Sequence, residues 1–317
     1  MANPSISLWP ELRYDAWRDT RDTLHLWMQV VGKVRLMQTP WLNHSWHVPL
    51  YLNSKGLTTS PIAHGPRFFD MQFDFLEHVL EITVSDGGVR RIALRPQSVA
   101  DFYVAVMAAL AQLDVAVTIT ELPCEIPAAT PFTEDRTHAA YDPDYARRFW
   151  QVLLRSDAVL KQFRTGFLGK ASPVHFFWGS FDLAATRFSG RRAPPFTGQA
   201  PGVTSQVMRE AYSHEVSSAG FWPGGNGTDY PAFYSYAYPV PPGFRDHPVQ
   251  PAAAFFSEAL GEFLLPYDAV RAAADPEATL TAFLQTTYEA AAEAAHWDRA
   301  ALECPLGRPG VPRSTDD

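Results

Sequence analysis

Two long helical patterns, each followed by a series of short strand patterns, limit the folds open to this 317-residue chain. Apolar residues recur at helical spacing over about 15–37 and again over about 145–163. Short apolar or alternating segments follow each pattern, including predicted strands over 46–52 and 115–122, and two later helical patterns lie near 98–113 and 277–295. We therefore predict an α+β protein whose mixed or antiparallel sheets are covered by helices.

A segment that contains proline and acidic residues but no apolar periodicity, 123–142, separates the two halves. We predict an N-terminal lobe over 1–122, this connector, a C-terminal lobe with loop insertions over 143–303, and a flexible tail over 304–317. Because helices and strands occur in the same order on both sides of the connector, the lobes are candidates for an internal repeat. The identity between the halves is too low to establish one.

The charge of the chain argues against binding to nucleic acid or to an acidic membrane surface. The sequence has 26 Lys and Arg against 34 Asp and Glu, a net charge of −8. Nucleic-acid binding depends on clustered basic residues that displace counterions. The one tight basic cluster, Arg187 with Arg191 and Arg192, is too small for that role. A small-molecule ligand is the expected partner, and the oligomeric state is left open.

The cysteine pattern indicates free thiols in a reducing compartment. Cys124 and Cys304 are far apart in the sequence, and neither belongs to a CxxC pair. The first residues lack the basic and apolar regions of a signal peptide, and no run of 18 apolar residues occurs. We expect a cytoplasmic protein.

The segment 172–192, "SPVHFFWGSFDLAATRFSGRR", supplies the first candidate for catalysis. On a strand, His175 lies on the face opposite Val174 and Phe176. It is either a general acid or base in an aromatic-lined cleft or a buried histidine bonded within the core. Asp182 is expected on the opposite face from His175, because seven residues separate the two.

His214 and Glu215, in "SHEVSSAGFWPGG", are the other catalytic candidates. Together with His175 they supply two histidines and one carboxylate, the ligands of a facial metal triad. Adjacent residues on a regular strand point to opposite faces, so only one of the pair faces the site unless a bulge intervenes. No HxH or HExxH spacing occurs, and we predict no metal site.

The segment 220–244 is unusually aromatic, with one Trp, four Tyr and three Phe in 25 residues. These rings could line a ligand pocket with tyrosine hydroxyls as polar contacts, or could hold down a proline-rich flap. We take Trp178, Trp222, Tyr234 and Tyr236 as candidates for substrate binding, with Arg187 to orient an anionic group.

Four sequence blocks resemble a bacterial family that is catalogued only as a domain of unknown function. They are "WPELRYDAWRDTRDTLHLWMQVVGKVRL", "SPVHFFWGSFDLAATRFSGR", "SHEVSSAGFWPGG" and "LGEFLLPYDAVR". The resemblance covers roughly residues 8 to 303. It implies a soluble bacterial protein that folds as one unit, and it brings no established activity, cofactor or catalytic residue.

The leading hypothesis is an enzyme that acts on a small, partly apolar molecule in an aromatic-lined cleft. His175 would be the acid or base, assisted by His214 or Glu215. The alternative is a noncatalytic small-molecule binding or interaction protein that uses the same aromatic residues. A metal-dependent enzyme with histidine and carboxylate ligands comes third. No nucleotide or phosphate motif occurs, so the sequence specifies no cofactor.

Overall fold

The computed structural model of the chain describes residues 8–225 and 227–313. Residues 1–7 of the predicted N-terminal lobe and 314–317 of the predicted tail lie outside this part. The helices of the described residues are α1 (Tyr14–Gln38), α2 (Val99–Gln112), α3 (Pro143–Arg164), α4 (Ser205–Ala211), α5 (Tyr267–Arg271), α6 (Pro276–Ala294) and α7 (Arg299–Leu302). The strands are β1 (Tyr51–Leu52), β2 (Gly56–Thr58), β3 (Ile62–His64), β4 (Arg67–Asp74), β5 (Val79–Val84), β6 (Val89–Ala93), β7 (His175–Phe177), β8 (Asp182–Arg192), β9 (His214–Trp222), β10 (Ala232–Tyr238), β11 (Phe255–Ser257) and β12 (Glu262–Pro266).

The strands form two antiparallel sheets, which confirms the predicted α+β class. The first sheet has the order β1-β2-β4-β5-β6, with β3 also paired to β4. The second has the order β11-β12-β10-β9-β8-β7. The sheets meet at an isolated bridge, where the backbone N–H of Leu50 donates to the carbonyl of Phe176 at 2.9 Å and the N–H of Phe176 donates to the carbonyl of Leu50 at 3.1 Å.

The long helices begin and end where the sequence signals predict. The Ser98 hydroxyl caps α2 by accepting from the N–H of Asp101. The Asp142 carboxylate caps α3, and a proline occupies the first turn of that helix. The Asp275 carboxylate caps α6 in the same way. Helix α1 lacks a side-chain cap, and its burial against the rest of the core stabilises it instead.

Two predicted strands are wrong or shortened. Residues 115–122 alternate in polarity, yet they form no regular strand. Val115 and Ile119 are buried there. The alternating polarity therefore comes from an extended segment that packs on the core without pairing to a strand. In the predicted strand 46–52, only Tyr51 and Leu52 belong to a strand, and Leu50 adds the isolated bridge to Phe176. The strand orders of the two sheets also differ, and the internal repeat stays a prediction.

Helix α1 is the element that joins the two halves into one core. Its Trp17 ring packs 5.1 Å from the ring of Phe149 in α3. In the C-terminal half of α1, Gly32 has no side chain and so leaves room for the indole of Trp178. The indole Nε1 of Trp178 donates to the carbonyl of Val48 at 2.9 Å. The buried apolar cluster is therefore continuous across both sheets.

The end of the described chain packs on α3. The N–H of Gly307 donates to the Thr165 hydroxyl at 2.9 Å, and the Arg313 guanidinium donates to the Thr165 carbonyl. These contacts place residues 304–313 against the C-terminal end of the helix.

Candidate functional site

The two faces of the second sheet differ in chemistry. The face that packs on α3 and α6 is apolar and includes Phe176, Leu183, Phe221, Phe233 and Leu265. The opposite face carries His175, Asp182, Tyr234, Tyr236 and Glu262, as the strand register requires. Polar side chains on a largely buried sheet face need partners, which makes this face the candidate functional site.

The expectation that Asp182 faces away from His175 is wrong. The hairpin register pairs His175 with Ala184 and Phe177 with Asp182, so both polar residues lie on one face. An odd or even separation in sequence tells which face of a sheet a side chain occupies only within one continuous strand. The turn between β7 and β8 breaks that alternation of side-chain faces. Phe181 in that turn has a φ of 62°, a left-handed conformation that non-glycine residues rarely adopt.

Three carboxyl groups and three tyrosines gather on this face. We call this group the carboxyl–tyrosine cluster; it consists of Glu125, Asp182, Tyr212, Tyr234, Tyr236 and Glu262. The buried Asp182 carboxylate accepts hydrogen bonds from the hydroxyls of Ser180 and Tyr234. The hydroxyls of Tyr212 and Tyr236 lie 3.2 Å apart. Glu125, Glu262, Tyr212 and Tyr236 are half-buried, so solvent reaches the edge of the cluster.

Burial shifts the acidity of the carboxyl groups. Burial, together with the nearby Asp182 charge, raises the pKa of Glu125 to about 7 and that of Glu262 to about 7. Burial also raises the pKa of Asp182, against the hydrogen bonds from Ser180 and Tyr234. Among the residues that the structure describes, no basic side chain contributes to any of these three shifts. Two of the carboxyl groups therefore change protonation near neutral pH, the range that acid–base chemistry uses.

Glu125 is held in place by the backbone of its neighbours. The Gln29 side chain on α1 bonds both the N–H and the carbonyl of Cys124 at 2.9 Å. The N–H of Glu125 donates to the Pro201 carbonyl at 2.6 Å, and its φ is 59°. Strained backbone of this kind persists where the surroundings fix it, commonly at functional sites.

Two glycines make room for the cluster. A Cβ at Gly179 would lie 2.1 Å from the Glu125 Oε1 atom. A Cβ at Gly220 would lie 2.7 Å from the Tyr234 hydroxyl oxygen. Any larger residue at either position collides with a polar group of the cluster, so both glycines are required for its geometry.

His175 is buried, with 1 % of its surface exposed. Its ring lies 5.8 Å from Trp46, 5.6 Å from Tyr51 and 5.4 Å from Phe177, measured between ring centroids. Neither ring nitrogen has a hydrogen-bond partner among the described residues. Burial lowers the pKa of His175 to about 3, helped by the charges of nearby arginines. The imidazole is therefore neutral at physiological pH.

His214 and Glu215 lie at the start of β9, and the hydrogen bonds described below join them to residues outside the carboxyl–tyrosine cluster. The His214 Nδ1 atom is 3.0 Å from the Ser213 hydroxyl. The Glu215 carboxylate accepts from the Ser189 hydroxyl at 2.8 Å and from the Arg191 guanidinium at 2.7 Å. A surface pocket of about 390 Å³ lies beside the Glu215–Arg191 pair rather than at the cluster.

The predicted substrate-binding residues divide between the two faces. Tyr234 and Tyr236 belong to the cluster, and Trp222 packs on the same face. Trp178 lies in the core. The Arg187 guanidinium also faces the core, 3.5 Å from the Phe163 ring centroid, and burial lowers its pKa to about 10. Neither Trp178 nor Arg187 reaches the cluster.

The sequence offers no spacing signal for the residues that were missed. Glu125 comes from the connector, Asp182 from β8, Tyr212 from the end of α4 and Glu262 from β12. Within the described part of the chain, no group of three or more His, Cys, Asp or Glu is arranged to hold a metal ion. None of the described helices is both long and apolar enough to cross a membrane.

Comparison with known proteins gives a family and no activity. Neither a curated protein nor a solved structure matches the chain. The model of the family of unknown function DUF5996 matches residues 9–304, nearly the whole sequence. The chain therefore belongs to this family of unknown function.

Proposed function

We propose that the chain is an enzyme that binds a small, partly apolar organic cation at the carboxyl–tyrosine cluster and exchanges a proton with it. The observation that carries the proposal is the convergence of three carboxyl groups and three tyrosines, with no basic side chain in the described part of the chain to offset them. Buried carboxylates are normally paired with a cation or with hydrogen-bond donors. A positively charged ligand supplies the missing partner.

Aromatic rings around the cluster suit the apolar part of such a ligand. Tyr212 stacks on Phe196 with ring centroids 4.5 Å apart, and Tyr238 lies 5.1 Å from Tyr212. Tyr234 and Tyr236 stack in parallel at 6.2 Å. Faces of aromatic rings attract cations and bury apolar groups, so these side chains serve both parts of the ligand.

Glu125 and Glu262 take the acid–base role in this proposal. Their pKa values of about 7 allow each to give or accept a proton at neutral pH. His175 has a pKa of about 3 and shielded ring nitrogens, so it suits the role less well than the sequence hypothesis assumed. A reducing cytoplasmic location remains part of the proposal, supported by the free thiols of Cys124 and Cys304.

A thermal-unfolding series with matched ligands tests the binding step. Ethylamine, butylamine and 2-phenylethylamine are each compared with the alcohol of the same skeleton. We expect 2-phenylethylamine at ten times its Kd to raise the Tm by about 2 °C, and 2-phenylethanol to leave it unchanged. Glu262→Gln and Glu125→Gln should each reduce the shift, because each removes a carboxylate from the cluster.

Glu258→Gln is the matched control, since Glu258 is an exposed carboxylate near the same strands and outside the cluster. If no amine stabilises the protein more than its paired alcohol does, the proposal is wrong. The alternative of a noncatalytic binding protein is favoured by the two hydrogen bonds that Asp182 already accepts, from the hydroxyls of Ser180 and Tyr234. Mass analysis of the amines after incubation in D2O separates the two: non-exchangeable deuterium that is incorporated by the unaltered protein and lost in Glu262→Gln supports the enzyme, and bound amine without it supports the binder.

A further inference from the structure

Lys170 and His44 form a pair outside the carboxyl–tyrosine cluster. The Lys170 Nζ atom is 2.7 Å from the His44 Nε2 atom. The other ring nitrogen of His44, Nδ1, is 2.9 Å from the carbonyl oxygen of Ala211. Because a carbonyl oxygen only accepts, Nδ1 carries the proton and Nε2 presents a lone pair to the amine. An amine, a base within hydrogen-bond reach and a third group that orients the base are the arrangement of an activated nucleophile.

The surroundings of the Lys170 amine also favour reactivity. Its Nζ lies 4.6 Å from the Phe188 ring centroid and 5.1 Å from that of Trp46. Burial against these rings lowers the pKa of Lys170, and burial also lowers the pKa of His44. Lys170 is nevertheless an exposed residue, so a ligand can approach its side chain from solvent.

The chain has four lysines, and Lys170 differs from the other three. Lys33 is buried, with 6 % of its surface exposed. The Lys55 ammonium pairs with Asp74 at 3.3 Å, and the Lys161 ammonium pairs with Asp157 at 2.6 Å. Lys170 is thus the exposed lysine that contacts a base rather than a carboxylate among the described residues.

We propose that Lys170 is a nucleophilic amine that forms an imine with a small aldehyde, with His44 as the group that accepts and returns the proton. The neutral amine attacks the carbonyl carbon, and the C=O π electrons move to the oxygen. A proton leaves the nitrogen for His44 Nε2 and passes to that oxygen, which gives a carbinolamine. Loss of the hydroxyl group as water, with the second nitrogen proton, completes the C=N bond. No oxidant or reductant is consumed.

The pair is connected to the carboxyl–tyrosine cluster through one short segment. The Ala211 carbonyl orients His44, while the next residue, Tyr212, contacts Tyr236 in the cluster. The other titratable groups near the pair are His214, whose ring centroid is 6.0 Å from that of His44, and Glu210, whose charge acts on His44. The inference does not depend on the cation proposed above, because it uses none of the cluster carboxylates.

Reductive trapping on the full chain tests the inference. Benzaldehyde and cyanoborohydride are added at pH 7, and the modified lysines are located by peptide mass spectrometry. Lys55 and Lys161 serve as internal controls. We expect Lys170 to be alkylated at least about tenfold faster than either, a margin below the roughly hundredfold minimum that a positioned base typically contributes. Equal rates at the three lysines would overturn the inference.

His44→Gln removes the base and should lower the Lys170 rate about tenfold. His64→Gln is the matched control, because His64 bonds Gln38 beside the first sheet and should leave the rate unchanged. If His44→Gln does not fold, the pH dependence of Lys170 labelling in the unaltered protein tests the role of the pair instead. Its Lys170 labelling must reach half-maximum at a lower pH than Nα-acetyllysine in the same reaction, and an equal or higher midpoint contradicts the role of the pair.

Discussion

Replacing Gly32 by alanine is expected to destabilise the protein by about 2 kcal/mol, the range typical of overpacking a close-packed core. A Cβ at this position would lie 2.3 Å from the Cδ2 atom of Trp178 and 2.4 Å from its Cδ1 atom. The indole cannot retreat freely, since its Nε1 donates to the Val48 carbonyl. In an exposed helix the same change would stabilise by about 1 kcal/mol, so the expected sign is opposite to helix propensity. Urea unfolding at pH 7 measures the effect.

The double variant Gly32→Ala with Trp178→Leu is the control for this prediction. Leucine is smaller than the indole and removes the collision, so the alanine should cost much less in that background. A coupling free energy of about 1 kcal/mol or more between the two positions is expected for residues in direct contact. A Gly32→Ala protein as stable as the unaltered one would mean that α1 and the second sheet are not packed as described.

Glu262→Gln is expected to stabilise the protein at pH 8 by about 2 kcal/mol and to have no effect at pH 4. Burial raises the pKa of Glu262 from 4.5 to about 7 in the folded state. One pKa unit corresponds to about 1.4 kcal/mol, and partial exposure reduces the total. Below about pH 4.5 the carboxyl is protonated in both the folded and the unfolded states, so it contributes no difference.

As the pH rises from about 4.5 to about 7, the unfolded chain releases this proton before the folded chain does. The unaltered protein should therefore lose stability over that window, and the loss should be smaller in Glu262→Gln. Glu125→Gln should behave in the same way, since its pKa is also about 7. Urea unfolding at pH 4, 6 and 8 provides the data, with Glu258→Gln as the exposed control. Parallel curves for Glu262→Gln and the control would contradict a buried carboxyl cluster.

Most of the helices could be predicted because their signals are local. Apolar spacing locates α2, α3 and α6 within a few residues, and the structure shows Ser98, Asp142 and Asp275 capping them. Strand predictions failed where alternation had another cause, as in 115–122, which lies on the core without a strand partner. Polarity along one segment shows which side is buried and does not show whether another strand is available to pair.

The candidate site could be predicted only in part. Tyr234 and Tyr236 were found because aromatic residues are dense in one stretch of sequence. Glu125 was not, since a single acidic residue in an irregular connector has no pattern to distinguish it. Asp182 was placed on the wrong face because the register of a hairpin depends on its turn. Glu125, Tyr212 and Glu262 meet Asp182 only after the sheet has formed.

The sequence by itself determined the α+β class, the long helices and the aromatic character of the second half, because each depends on periodicity and composition within one segment. Only the tertiary structure decided which polar groups share a face, because side chains from separate segments meet through strand register and packing. It also decided the electrostatics: the pKa values of Glu125 and Glu262 rise through burial beside Asp182. The contact between Lys170 and His44 has the same origin, since 126 residues separate the two along the chain.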